Sequence, residues 1–250
     1  MKQLYLGLPA QKTLQIPPNI PQFQNFRRSL WFTGFNRAIP ISGKLFDGTF
    51  VCDGVVVTSN GISYSINASL FDTDVGKMAR EVLPGTQKIS GVMSCHTQFW
   101  GTGRKMETMS GRGKIELRNA NIYEAPVMLR VLRELSIKPS DPGAGAFDKS
   151  DIDYAIKGNR IFFNPISFEG SLFSLTGSGE MRLDSQEVNL TMKTRLGNRR
   201  THIPVISDVL GWAGDQIIQL NVQGKISDPT VHRILLPAPD IRNAINDREQ

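Results

Sequence analysis

The residues best suited to chemistry in this 250-residue chain include two pairs of aspartates, each pair separated by a single residue. The pairs are Asp72 with Asp74, and Asp151 with Asp153. Such spacing suits a general acid with a general base, or a set of calcium ligands. However, Asp74 precedes an amphipathic stretch, where an aspartate caps a helix, and the second pair alternates with apolar residues. We therefore predict a helix cap and a solvated strand face at these positions.

The two cysteines and three histidines give little support to a metal site or to nucleophilic catalysis. The chain has no Cys-x-x-Cys pair and no Gly-x-Ser-x-Gly motif. Cys95 falls on the apolar side of its predicted strand, where a thiol acts as a small hydrophobe, and His96 falls on the polar side. A disulfide between Cys52 and Cys95 is left open. We expect no enzymatic activity, no cofactor and no metal.

Two basic segments that contain glycines resemble phosphate-binding loops in composition alone. They are residues 101–105, Gly-Thr-Gly-Arg-Lys, and residues 111–114, Gly-Arg-Gly-Lys. A P-loop needs four residues between its glycines, then Lys-Ser/Thr, then a helix, whereas strand patterning surrounds both of these segments. We predict hairpin turns at both places, because glycine accepts the backbone conformations that turns require.

The charge balance is mildly basic: 29 Lys and Arg residues against 23 Asp and Glu give a net charge of +6. The residues available to contact phosphates are Arg104, Lys105, Arg112, Lys114, Arg195, Arg199 and Arg200. A nucleic-acid site also needs stacking aromatic residues on the same face, but Tyr64 and Phe99 alternate with the apolar set. We therefore expect no nucleic acid partner, and keep binding of an anionic polymer by the arginines at 195, 199 and 200 as one alternative.

The elements that would position these residues are strands, because apolar residues recur at every second position in about ten runs. The clearest run places one set of side chains on a single face: Ile62, Tyr64, Ile66, Ala68 and Leu70. Serine and asparagine occupy the other face of that run. The last run contains Ile218, Leu220, Val222 and Ile226. One apolar face and one polar face predict antiparallel strands with one side in water.

Three short helices are predicted between the strands. The first runs from near Asp74 to Leu83, and the second begins at Pro126, which suits a first helical position. The second helix repeats Val127, Val131 and Leu135 on one side. The third is predicted to begin at Pro204.

The chain is predicted to have one main domain, residues 41–235, with a loop or boundary at residues 139–148. Residues 1–40 are rich in proline and aromatic residues and are predicted to be an extended docking segment, and residues 236–250 a tail. We recognise no signal peptide, and no apolar run approaches the ~20 residues that a membrane-spanning helix needs.

The predicted sheet is too wide for its helices to cover. Ten strands at a spacing of ~4.8 Å make a sheet about 48 Å wide. Each helix covers ~10–12 Å, so three helices leave part of the apolar face exposed. The sheet must then curl on itself or present an apolar surface to a ligand. The predicted fold class is mainly β: a long, curled or twisted antiparallel sheet of the β-taco or groove type with about three short capping helices.

Several segments resemble the AsmA-like C-terminal domain family. Residues 111–120, Gly-Arg-Gly-Lys-Ile-Glu-Leu-Arg-Asn-Ala, are similar to a family strand that precedes a short apolar helix. Residues 147–195, which open with Phe147-Asp148 and include the segment 175–184, resemble the next part. Residues 220–229, Leu-Asn-Val-Gln-Gly-Lys-Ile-Ser-Asp-Pro, are similar to the family's ending. The resemblance covers residues 43–230. The family's usual N-terminal membrane anchor is not recognised, so we expect the chain to be part of a larger system or a truncated product.

The resemblance implies a non-enzymatic bacterial envelope protein at the periplasmic face, linked to outer-membrane biogenesis and phospholipid transport. It also implies a phospholipid or other acyl lipid as ligand and an inner-membrane-anchored envelope partner. Combined with the apolar face, it predicts a groove for acyl chains. The candidate groove residues are Ile62, Tyr64, Ile66, Met93, Phe99, Tyr154, Phe173, Leu175, Leu190 and Met192. The main alternative is a closed β-rich structural or assembly module that binds no lipid.

Overall fold

The alternating runs form the strands of a single antiparallel sheet in a computed structural model. The structure describes residues 41–58, 61–82, 88–138, 146–196 and 218–235. Its strands are β1 (Ile41–Leu45), β2 (Gly48–Val57), β3 (Ser63–Asp74), β4 (Ser90–Thr102), β5 (Ser110–Asn121), β6 (Ala146–Lys157), β7 (Arg160–Glu169), β8 (Phe173–Arg182), β9 (Glu187–Leu196), β10 (Ile218–Lys225) and β11 (Asp228–Leu235). Its α-helices are α1 (Val75–Val82) and α2 (Pro126–Glu134).

Each strand pairs with the next one along the chain, so that the order in the sheet is the order in the sequence. The outermost strands, β1 and β11, do not pair with each other, and the sheet therefore stays open. The prediction of a mainly β, antiparallel sheet with few helices is confirmed.

The register aligns the alternating apolar residues of successive strands on one face, which we call the inner face. One row across β3 to β6 joins Ile66, Phe99, Gly111 and Ile156 as successive partners. Because side chains alternate along a strand, the neighbours of these residues point to the opposite, outer face. In β1 to β10 the outer face carries the charged residues, such as the Arg160–Glu180 ion pair (2.8 Å) between β7 and β8.

Both helices pack on the inner face and both begin at the same end of the sheet, because α1 follows the end of β3 and α2 follows the end of β5. The hairpins β2–β3, β4–β5, β6–β7, β8–β9 and β10–β11 lie at the other end. A 3-10 turn, Met106–Thr108, forms part of the β4–β5 hairpin.

The sheet curls toward its inner face. Helix α2 connects β5 to β6, yet it also packs against β11. In a flat sheet β11 would lie about 24 Å from β6, at five spacings of ~4.8 Å, whereas a helix is only ~10–12 Å wide. Arg130 of α2 reaches Asp228 at the start of β11 with a 2.6 Å ion pair. The curl therefore brings β11 to the helix.

Both helices begin where the sequence predicts. The Asp74 carboxylate accepts a hydrogen bond from the backbone N–H of Lys77 (3.0 Å), as an N-terminal cap does. Pro126 occupies the start of α2, where its missing N–H is not needed. In α2 the buried residues are Met128, Val131 and Leu132.

Several predicted details are corrected or lie outside the described residues. Ile226 is in the β10–β11 turn and exposed, and Ala146–Asp148, predicted as loop, begin β6. The glycines of residues 111–114 lie within β5 and not in a turn. The predicted helix at Pro204, the 1–40 segment, residues 139–145 and the 236–250 tail lie outside the described part of the chain.

Candidate ligand-binding face

The inner face has a closed part and an open part. The closed part lies against α2, where Leu132 of the helix and Leu220 and Val222 of β10 are fully buried. A smaller cluster under α1 contains Val75, Ala79, Ile89, Leu117 and Ala120.

The open part, which we call the open patch, consists of partly exposed residues on β2, β3, β4 and β6. They are Cys52, Tyr64, Ile66, Ala68, Cys95, Thr97, Phe99 and Tyr154. None of these residues belongs to either buried cluster or packs against one. The open patch therefore presents partly exposed apolar surface on the same face that forms the two buried clusters.

The ten residues predicted to line a groove do not form one surface. Tyr64, Ile66, Phe99 and Tyr154 lie in the open patch. Phe173, Leu175 and Met192 are buried in the closed part, Leu190 packs against it, and Met93 packs against the α1 cluster. Ile62 precedes β3 and its carbonyl accepts a hydrogen bond from the Gly103 N–H (2.6 Å). Alternation placed nearly all of these side chains on the correct face, but the helices decide which of them are covered.

Two tyrosines of the open patch lie across glycines of the neighbouring strands. A Cβ atom on Gly101 would be 2.5 Å from Tyr64 Oη and 2.8 Å from its Cζ. A Cβ atom on Gly113 would overlap the Tyr154 ring and come within 2.6 Å of the His96 carbonyl oxygen. The glycines in β4 and β5 are therefore required by close approach of an aromatic ring, which corrects the prediction of a turn at residues 111–114.

A small polar group interrupts the apolar surface of the open patch. The hydroxyl of Tyr154 on β6 bonds to the hydroxyl of Thr97 on β4, across Gly113 of β5. The Cys95 sulfur lies 3.6 Å from Thr97 Oγ1 and 3.9 Å from Tyr154 Oη. Burial is the main cause that raises the pKa of Tyr154 to about 12, so the phenol stays protonated. Thr97 and Cys95 were not among the predicted site residues, although their alternation with Met93 and Phe99 was visible.

No charged side chain shares the inner face with the open patch in the described residues of β1 to β10, as their register and alternation show. The charges of these strands lie on the outer face. There Asp151 bonds to Lys149 (2.7 Å) and Lys114 (3.0 Å), and these two hydrogen bonds are the main reason that its pKa lies below its ordinary value. Thus Asp151 takes part in an ion-pair network.

The other candidates for chemistry also have structural roles. Exposed Asp72 forms an ion pair with Arg118 (2.6 Å), and His96 shares a hydrogen bond with Ser69 (2.8 Å) on the outer face. Lys114, one of the basic residues considered for anion binding, also pairs with Glu116 (2.8 Å).

The two cysteines are free and cannot form a disulfide in this fold. Cys52 on β2 and Cys95 on β4 are separated by β3, so their Cα atoms are about 10 Å apart or more at a strand spacing of ~4.8 Å. A disulfide needs Cα atoms within about 7 Å. Burial, followed by the charge of Asp53, raises the pKa of the Cys52 thiol, which makes it a weak nucleophile.

In the described part of the chain, no group of three or more His, Cys, Asp or Glu side chains is arranged to hold a metal ion. Neither described α-helix has the length and the apolar character needed to cross a membrane.

Fold and site together define a class: an open, curled antiparallel sheet with a partly uncovered inner face that carries no charged side chain in β1 to β10. Comparison with family models, with curated proteins and with solved structures finds no match for this chain. The resemblance to the AsmA-like domain therefore stays a prediction.

Proposed function

We propose that this chain is a non-enzymatic lipid-binding protein that holds acyl chains on the open patch. In this proposal the hydrocarbon lies over Ile66, Phe99 and the two tyrosines, and completes the cover that the helices provide elsewhere. The ligand is a phospholipid or another acyl lipid.

The observation that carries the proposal is the partial exposure of these eight inner-face residues, none of which belongs to a buried cluster, while Leu175, Leu220 and Val222 on the same face are buried in the core. Burying a CH₂ group is favourable by about 0.8 kcal/mol, so a stretch of six or seven CH₂ groups contributes about 5 kcal/mol before the cost of binding. The absence of charge on this face in β1 to β10 suits a hydrocarbon ligand, because no ion would be stripped of water.

The biological setting of the proposal comes from the resemblance to the AsmA-like family. That resemblance implies a protein at the periplasmic face of a bacterial envelope that guides phospholipid during outer-membrane biogenesis. Its protein partner is then an envelope component anchored in the inner membrane.

The first experiment is to purify the chain without detergent, extract it with organic solvent and measure phospholipid by mass spectrometry. We expect about one lipid per chain. A stable, monomeric, lipid-free protein that also fails to take up added phospholipid would overturn the proposal and favour the closed structural or assembly module.

Substitutions at two adjacent residues test which face of the sheet binds the lipid. Phe99→Asn removes an aromatic ring from the open patch, whereas Trp100→Asn removes the next aromatic ring, which is 42% exposed on the outer face. We expect Phe99→Asn to lower lipid affinity about ten-fold or more and Trp100→Asn to leave it unchanged. Equal effects, in variants that melt like the parent protein, would contradict the choice of face.

Salt dependence separates this proposal from binding of an anionic polymer. Contacts to phosphates weaken steeply as salt is added, whereas burial of hydrocarbon does not. Of the three arginines considered for such binding, Arg195 lies on β9, while Arg199 and Arg200 lie outside the described residues. Lipid binding that collapses on addition of salt would favour the polymer alternative.

A further inference from the structure

We propose that the hydroxyls of Thr97 and Tyr154 form a subsite that donates a hydrogen bond to the neutral ester carbonyl of a bound acyl lipid. This inference rests on the proposed function. It adds the position at which the ligand is held and the ligand atom that is recognised.

The position of the hydroxyl pair is set by the sheet. Thr97 and Tyr154 lie in one row, on β4 and β6, with Gly113 of β5 between them. Because Gly113 has no side chain, the Tyr154 ring lies across β5 and its hydroxyl meets that of Thr97. The pair is therefore fixed from both sides and surrounded by the apolar residues of the open patch.

The hydrogen-bonding capacity of the pair is not used up within the protein. Each hydroxyl has one hydrogen and two lone pairs, and the bond between the two hydroxyls uses one hydrogen. For the second hydrogen, the described side chains offer the Cys95 sulfur, at 3.6 Å from Thr97 and 3.9 Å from Tyr154, which is a weak acceptor. One strong donor is thus available to a ligand oxygen.

The surroundings select an uncharged acceptor. The inner face of β1 to β10 carries no lysine or arginine that could neutralise a carboxylate or phosphate. A charged group bound to this face would lose its hydration without gaining an ion pair, and this desolvation is costly in free energy. A neutral ester carbonyl loses much less hydration free energy. The phenol of Tyr154, which stays protonated, is a donor over the whole physiological pH range.

The arrangement matches what is typical of ligand sites, namely an apolar and aromatic lining with a few polar groups that fix orientation. Tyr64 and Phe99 contact each other edge to face on one side of the pair, with ring centroids 6.3 Å apart. On the other side, Phe163 meets Tyr154 in the same way at 6.4 Å. An acyl chain on either side of its ester group would contact these rings.

The test compares a long-chain methyl ester, the alkane of the same chain length and the corresponding carboxylate. Each competes with a fluorescent apolar probe for the full chain. We expect the ester to bind about five- to ten-fold more tightly than the alkane, the usual effect of one added hydrogen bond. The carboxylate is expected to bind more weakly than the ester.

Two nearly isosteric variants remove the hydroxyls, Thr97→Val and Tyr154→Phe. In both variants we expect the ratio of ester affinity to alkane affinity, measured in the same protein, to fall most of the way to one. The matched control is Thr191→Val, which removes an exposed hydroxyl from the outer face of β9. We expect this variant to bind the ester and the alkane with unchanged affinity. Thermal melting of every variant verifies the fold.

The outcomes separate the two proposals. Alkane binding without a preference for the ester, or a preference that survives in both variants, overturns this subsite and leaves the proposed function standing. If none of the three ligands displaces the probe from a folded protein, the proposed function fails and the subsite fails with it.

Discussion

Single glycines on the inner face decide how closely the aromatic residues can approach the sheet. Gly101 lies beneath Tyr64 and Gly113 beneath Tyr154, and at both positions even a methyl group would meet ring atoms. Similar contacts occur at Gly177, whose Cβ would come within 2.6 Å of Met192 Sδ. These glycines are thus required for packing, and a larger side chain at these positions would destabilise the folded state through steric overlap.

We therefore predict that Gly113→Ala lowers the free energy of unfolding by about 1–3 kcal/mol, because the added methyl group is forced against Tyr154 and the His96 carbonyl. Urea unfolding measures the change. The same substitution in a Tyr154→Ala background is expected to cost less, since part of the overlap is gone. An equal cost in both backgrounds would contradict the contact with the ring.

The raised pKa of Tyr154 predicts that the stability of the protein depends on pH. Its pKa is raised from the ordinary 10.0 to about 12, mainly because burial disfavours the phenolate. The stabilising contribution of the protonated phenol is fully present below pH 10 and is lost as pH rises through about 12. Tyrosinate absorbance is expected to show one tyrosine that ionises late, and Tyr154→Phe removes it. If the late titration persists in Tyr154→Phe, the assignment is wrong.

Among the elements, α2 does most to close the inner face. Its buried residues Met128, Val131 and Leu132 pack with β8 to β11, and Arg130 pairs with Asp228. That ion pair is largely exposed, with side-chain exposures of 40% and 77%, so we expect it to contribute at most about 1 kcal/mol. The apolar side of the helix therefore provides most of its attachment.

Two leucines of α2 make a matched test of this view. Leu132 is fully buried, whereas Leu129 is 39% exposed. Leu132→Ala is expected to lower the free energy of unfolding by about 2–5 kcal/mol, and Leu129→Ala by less than about 1 kcal/mol. Chemical denaturation measures both, and similar losses at the two positions would contradict the described packing of α2.

At the scale of the whole molecule, stability is distributed unevenly across the sheet. Phe173, Leu175, Leu220 and Val222 on β8 and β10 are buried against α2, whereas Phe50 and Cys52 on β2 are partly exposed and β1 is a five-residue edge strand. Local opening costs least where few apolar contacts must be broken. The β1–β2 end is therefore the part of the described sheet that opens most readily.

We predict that backbone amides of β9 and β10 exchange with deuterated water more slowly than those of β1 and β2. Hydrogen exchange followed by mass spectrometry measures the difference. Added phospholipid is expected to slow exchange in β2 to β4, which carry much of the open patch, and to leave β9 and β10 unchanged. Uniform exchange across all strands would contradict the division into a closed and an open part.

The sequence by itself determined the local structure of this protein. Alternation of apolar and polar residues reports directly on which face a side chain takes, so the antiparallel strands and the inner positions of Ile66, Phe99 and Leu175 could be predicted. The start of α1 after Asp74 and that of α2 at Pro126 are also local, because capping and proline geometry depend on a few neighbouring residues.

Only the tertiary structure decided which inner-face residues are covered. Leu175 and Ile66 have the same pattern in the sequence, yet the first is buried against α2 and the second lies in the open patch. The curl that brings β11 to α2 and the approach of Tyr154 to Gly113 and Thr97 join residues far apart in the chain. Alternation contains no information about such long-range contacts, because it is a property of each strand alone.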